Sequence, residues 1–170
     1  MSQQSMADIT KMFGTSGQPA RPNLFKVKIP YMGKEFEYKV RAASMPGAQV
    51  EPVKLNYLNR QFNVAGDRIY EDWTTTIFLD ENHEVREQLI AWQNLCHSMG
   101  IEIHGEVPVM YKKSGTCTQY SRDGVNETAS ADFTGIWPSN IGPVEYDWDT
   151  KSEVAYFEVT WTYDWWEPRK

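Results

Sequence analysis

Val154-Ala155-Tyr156-Phe157-Glu158-Val159-Thr160-Trp161-Thr162-Tyr163-Asp164-Trp165-Trp166 decides the fold class. In an extended chain successive side chains point to opposite faces. Phe157, Val159, Trp161, Tyr163 and Trp165 therefore share one face, while Tyr156, Glu158, Thr160, Thr162, Asp164 and Trp166 share the other. The first set must be covered and the second can meet water, which describes a strand with one packed side.

The same period of two recurs outward from this stretch. Trp73, Thr75, Ile77 and Leu79 read as a strand. Phe25, Val27 and Ile29 alternate with Lys26 and Lys28, and Phe36, Tyr38 and Val40 alternate with Glu35, Glu37, Lys39 and Arg41. A turn near Pro30 to Gly33 would make these two runs a hairpin with lysines opposite glutamates. Further strands are expected around Val107 to Lys112, Thr116 to Tyr120, Val125 to Ile136 and Val144 to Trp148, with a turn at Arg122-Asp123-Gly124. One helix interrupts them. Asp80 is its expected cap, Glu81 and Glu84 lie in its first turn, Val85, Leu89, Trp92, Cys96 and Met99 form its apolar face, and Gly100 ends it. The fold class is thus mainly β, an antiparallel barrel or sandwich of about seven to nine strands with one packed α-helix.

Two segments stand outside this pattern. Residues 1–22 read as an N-terminal arm in which Ile9, Met12 and Phe13 can make one amphipathic turn before Gly14, Gly17, Pro19 and Pro22. The β domain then runs over residues 23–170, with a long loop at 46–68 after the break at Met45-Pro46-Gly47. Alternation there is weak, at Val53, Leu55 and Tyr57 and again at Phe62 and Val64. A stretch of that length without a firm element is usually functional or disordered.

Composition narrows the function classes. The 23 acidic and 17 basic residues of the 170-residue chain leave a net charge of −6, the wrong sign for a protein that grips phosphates. No apolar run approaches the length of a membrane-spanning helix, and Met1 to Lys11 lacks the charged start and apolar middle of a secretory signal. These features point to a cytosolic chain with no membrane insertion. Asn126-Glu127-Thr128 matches a glycosylation sequon but has no consequence there. Aromatic residues make up 14% of the chain, more than one core absorbs, and such residues are enriched where proteins meet proteins.

Catalytic chemistry finds little to work with. Cys96 and Cys117 form no CxxC and read as free thiols, while His83, His97 and His104 near the helix do not converge with them as a metal site. Asp147 with Asp149, or Glu71 with Asp72, would be the carboxylate pairs of a glycosidase, yet acids are abundant throughout this chain. No phosphate cradle, nucleophile elbow or HExxH occurs. The chain is therefore read as a non-enzyme with no cofactor and no metal. A sugar-binding sandwich using exposed tryptophans is the alternative.

A resemblance to a known family rests on motifs in order along the chain. They are Ala20-Arg21-Pro22-Asn23-Leu24-Phe25, Leu58-Asn59-Arg60, Asn63-Val64-Ala65-Gly66-Asp67-Arg68 and Asp72-Trp73-Thr74. Tyr111-Lys112-Lys113-Ser114, Gln119-Tyr120 with Arg122-Asp123, Trp137-Pro138 with Asn140 and Gly142, Asp147-Trp148-Asp149, Phe157-Glu158-Val159-Thr160 and Trp166-Glu167 follow. Together they cover Ala20 to Glu167, and the sequence resembles the tail tube proteins of contractile-tailed bacteriophages. The start before Ala20 is longer than the pattern, and Trp161, Tyr163 and Trp165 add aromatics to it.

The resemblance implies a structural virion subunit, assembled in the host bacterial cytoplasm, whose homohexameric rings stack into the tube that conducts DNA into the host. Tube subunits of contractile injection and type VI secretion machines are the related alternative. Its implied partners are further copies of itself, the tail sheath, baseplate proteins, the tail terminator, and the tape measure protein and DNA within the lumen. About 24 strands shared by six subunits would enclose a lumen near 40 Å, wide enough for duplex DNA. Contacts between subunits are expected at Asn59, Arg60, Val64, Ala65, Gly66, Asp67, Arg68, Asp72, Trp73 and Trp137. Glu145, Asp147, Glu158 and Asp164 are the expected acids of the lumen wall, where negative charge lets DNA slide.

Overall fold

The computed structural model describes residues 20–101, 103–149 and 153–169, so the expected N-terminal arm lies outside the described residues for all but its last positions. The strands are β1 (Phe25–Lys28), β2 (Val40–Ala43), β3 (Gln49–Tyr57), β4 (Arg60–Ile69), β5 (Trp73–Phe78), β6 (Lys113–Tyr120), β7 (Glu127–Ile141), β8 (Tyr156–Thr162) and β9 (Trp165–Arg169). The helices are α1 (Lys34–Lys39), α2 (Glu84–Cys96) and the single turn α3 (Pro108–Tyr111), with a 3-10 turn at Pro30–Met32. None is long and apolar enough to cross a membrane.

β8 shows the alternation directly. Phe157, Val159 and Trp161 are buried while Tyr156 and Glu158 are exposed. Its partner β5 matches it in antiparallel register, Ile77 against Phe157, Thr75 against Val159 and Trp73 against Trp161. The buried indole of Trp161 donates to Thr75 Oγ1 at 2.9 Å, which satisfies the one polar group on that ring.

Expected and observed elements part where a strand must change sheets. Val154 to Trp166 is two strands, because the chain breaks at Tyr163-Asp164. Asp164 donates its backbone N–H to the Thr134 carbonyl at 3.0 Å, and its carboxylate holds Lys112 Nζ at 2.6 Å. Beyond the break Trp165 is exposed and does not join the covered face. β7 bends at the same level, at Gly135, whose φ of +72° is easy only for glycine. Before the bend, Ser130 to Thr134 pair with β9; after it, Trp137 to Ile141 pair with β8. Two sheets, β1-β6-β7-β9 and β7-β8-β5-β2, therefore share β7.

The core fills the space between them. Val27, Cys117 and Phe133 come from one sheet, and Trp73, Ile77, Phe157, Val159 and Trp161 from the other. Phe133 stacks on Trp73 at a centroid distance of 4.6 Å, which ties the two layers together. α2 closes one end with Val85, Leu89 and Trp92, and Trp92 meets Trp161 at 5.7 Å.

Four other expectations are corrected. Lys34–Lys39 is a helix, not the second strand of a hairpin, and β1 pairs with β6. Phe36 is the residue that this helix buries, with Met32 of the preceding 3-10 turn and Val40 at the start of β2 packed inward on either side, while Tyr38 is exposed. The lysine-glutamate pairing survives in another form, Lys26 to Glu37 at 2.5 Å across β1 and α1. The helix α2 begins at Glu84, because Asp80 is held by Lys39 at 2.8 Å and does not cap it. It ends at Cys96, which leaves Met99 outside its apolar face. Pro108 sets one helical turn where a strand was expected at Val107 to Lys112. Val144 to Trp148 carries no strand, and Asp147 accepts the Asp149 N–H at 3.0 Å in a local turn.

Candidate functional site

Residues 46–68, expected as a loop, contain most of a two-stranded antiparallel hairpin that stands apart from both sheets. The weak alternation has a physical basis. β3 and β4 place Val53 opposite Val64, Leu55 opposite Phe62 and Tyr57 opposite Arg60, so one face is an apolar stripe ending in a cation. Pro52, Lys54, Asn56, Gln61, Asn63 and Ala65 occupy the other face. Among the described residues nothing covers the stripe, and each of its apolar side chains is exposed. A two-residue turn, Leu58-Asn59, joins the strands with φ of 46° and 58°. Asn adopts such angles readily, whereas Leu does not.

A lone hairpin is marginally stable in water, so its base needs support. Two tryptophans provide it. Trp73 Nε1 donates to the Ser44 carbonyl at 2.6 Å, and Trp166 Nε1 donates to the Gly47 carbonyl at 2.9 Å. Within the hairpin, β4 crosses close to β3 at Gly66, where a Cβ would lie 2.7 Å from the Glu51 carbonyl oxygen. The hairpin is thus aimed by β5 and β9 through their indoles.

The structure sorts the expected contact residues. Asn59, Arg60, Val64, Ala65, Gly66, Asp67 and Arg68 all belong to the hairpin and its turn. Asp72 is exposed and accepts the Thr162 hydroxyl at 2.9 Å. Trp73 is buried in the chain's own core, and its indole N–H holds the base of the hairpin. Trp137 is half-buried with its ring edge-on to Tyr111 at 5.8 Å.

Of the four expected lumen acids, Glu145, Asp147 and Glu158 line one open cleft, joined there by Glu153. Asn140 and Thr76 lie beside Glu158 in the same cleft. Asp164 does not belong to this group, because it sits at the β8–β9 break in an ion pair with Lys112. One further surface carries no sequence signal that was recognised as a site. After α2, Met99, Ile101, Ile103, Val107, Val109 and Met110 are all exposed. Their clustering around Gly105, outside any amphipathic element, was the available clue.

The two thiols are both held in their neutral form by burial. Cys117 is pushed up to about 11 by burial, and burial also raises the Cys96 thiol, so neither is an activated nucleophile. Asp123 is lowered by the Ser121 hydroxyl and nearby backbone N–H groups in an exposed turn. Among the described residues no group of three or more His, Cys, Asp or Glu side chains could hold a metal ion.

The phage tail tube protein family matches residues 9–168 of this chain. The chain is 42% identical over 160 residues to the tail tube protein gp19 of Enterobacteria phage T4, which covers 94% of this chain and 98% of that one. The T6 protein of the same name matches with the same identity and coverage. Among solved structures, the fold is similar to a chain of an extracellular contractile injection system, the PVC sheath-tube complex in its extended state, with a TM-score of 0.68 and 14% identity over 94% of this chain and 97% of that one. A chain of the anti-feeding prophage tube-terminating cap is similar at the same TM-score with 15% identity, covering 90% and 92%.

Proposed function

Because the chain belongs to the phage tail tube protein family, we propose that six copies close into a ring and that rings stack into the hollow inner tube of a contractile tail. The protein is then a component of the virion tail. The observation that carries the assembly reading is the hairpin, an element whose apolar face has no cover among the described residues. Covering Val53, Leu55, Tyr57, Phe62 and Val64 from their present exposure contributes about 1 kcal/mol each, so about 5 kcal/mol per copy before ordering costs. That is enough to favour a neighbour and too little to drive assembly from dilute solution without a nucleus.

The acidic cleft supports the conduit reading. Glu145, Asp147 and Glu158 lie together on an exposed surface beside Asn140, Thr76 and the half-buried Thr160. We place that surface toward the lumen, where six copies would present a wall that repels phosphate and binds no base. The sheath would then surround the outer face, baseplate and terminator would meet the two ends, and the tape measure protein would precede DNA through the bore.

Electron microscopy of the purified chain, dilute and concentrated, tests this reading. Rings or tubes appearing after a lag at high concentration are expected. Stable single copies at every concentration, with binding to oligosaccharides, would overturn it in favour of a sugar-binding sandwich.

A further inference from the structure

The loop after α2 carries another group of exposed apolar side chains, and backbone hydrogen bonds hold it against the helix end. The Ser98 N–H donates to the His104 carbonyl at 2.9 Å, and the Glu106 N–H donates to the Leu95 carbonyl at 2.8 Å. Gly105 lies where a Cβ would be 2.6 Å from the Cys96 carbonyl oxygen, so only glycine lets the returning chain lie against the helix end. These contacts hold Ile101 and Ile103 outward, with Ile101 fully exposed, and α3 adds Val109 at 83% exposure.

We propose that this loop and α3 form the seat for the hairpin of a neighbouring copy, which lays its Val53, Leu55, Phe62 and Val64 face across Ile101, Ile103 and Val109. The inference rests on the reading above that the hairpin contacts another subunit, and it names the surface that receives it. A tube grows by head-to-tail contacts, and each such contact needs two different patches on the same chain. The hairpin stripe and this loop are two exposed apolar patches on different elements of one chain. Charge agrees with the pairing. The stripe ends in Arg60, which makes no ion pair among the described residues, and the loop carries Glu106, whose carboxylate is 3.4 Å from His104 Nε2 and still open to solvent. The tip agrees as well. Leu58 holds an exposed apolar side chain at a φ that Asn or Gly would adopt with less strain, which is the mark of a residue kept for an outside contact.

Two double variants test the pairing, Leu55→Asp with Phe62→Asp on the hairpin and Ile101→Asp with Val109→Asp on the loop. All four positions are exposed, so circular dichroism and thermal midpoints should match the unmodified chain. By itself neither variant should grow into tubes. An equimolar mixture should associate pairwise and stop, because the intact hairpin of one variant meets the intact loop of the other and no second junction can form. Tube growth by the loop variant while the hairpin variant fails would overturn the proposal and leave the hairpin reading standing, the loop then serving another partner such as a sheath subunit. Normal growth by both would overturn the hairpin reading as well. Failure of both with no association on mixing would show that the two patches do not meet, and would also overturn the proposal. Should a variant misfold, disulfide formation between a Leu55→Cys chain and a Val109→Cys chain replaces it. A cross-link mapped to those two peptides is expected, and its absence under polymerising conditions refutes the pairing.

Discussion

Gly135→Ala is expected to destabilise the chain by about 2–3 kcal/mol, and the structure supplies both parts of that figure. Gly135 has a φ of +72°, where an alanine costs about 1–2 kcal/mol. Its Cβ would also lie 2.2 Å from Asp164 Oδ2 and 2.7 Å from Asp164 Cγ. The carboxylate must therefore swing away from Lys112 Nζ, which it now holds at 2.6 Å, and a partly exposed pair of this kind contributes up to about 1 kcal/mol. Urea unfolding followed by fluorescence measures the sum, and with a slope of about 2 kcal/mol/M the midpoint should fall by about 1–1.5 M. A double-mutant cycle separates the parts. In an Asp164→Ala background the atoms at 2.2 and 2.7 Å are gone, so Gly135→Ala should cost only the backbone share and the coupling should be about 1 kcal/mol. A loss under about 0.5 kcal/mol in both backgrounds would refute the claim that β7 changes sheets through a glycine-only bend.

Three further outcomes follow from the same structure. Trp166→Phe removes the indole donor to the Gly47 carbonyl, so thermal stability should fall by only about 1 kcal/mol while tube yield at fixed concentration drops several-fold; unchanged yield in electron micrographs would mean that β9 does not aim the hairpin. Replacing Glu158 and Glu145 with lysine should leave tubes intact yet slow DNA release from assembled particles, most at low salt, whereas release equal to that of the unmodified particle at every salt concentration would move the cleft away from the lumen. Cys117 loses its proton near 9.0 in the unfolded chain and at about 11 when folded, so the folded state holds the proton longer and stability should fall as pH rises between those values, by up to about 1.4 kcal/mol per unit; Cys117→Ala should flatten that part of the stability profile, and an unaltered profile would show that this thiol does not contribute.

The alternation of Phe157, Val159 and Trp161, the matching run from Trp73 to Ile77 and the buried stripe of Val85, Leu89 and Trp92 were legible in the sequence, because period and burial are local consequences of strand and helix geometry. The motifs from Ala20 to Glu167 likewise pointed to the tail tube family that the 42% identity bears out. What the sequence could not decide were the places where two local readings were equally good. Lys34–Lys39 has an alternating pattern, yet it is a helix that buries Phe36, and the strand that pairs with β1 comes from the distant β6. Residues 46–68 alternate too weakly to announce a hairpin, since neither face meets a core among the described residues. Trp73 fills the core with its ring while its indole N–H serves the hairpin base, and the second role depends on Ser44, 29 residues away in sequence. The break at Asp164 depends on Lys112 and Thr134, distant in the chain and adjacent only after folding. Local pattern thus chose strand or helix wherever one face had to be buried, and tertiary structure chose wherever the deciding partner was supplied by another part of the chain.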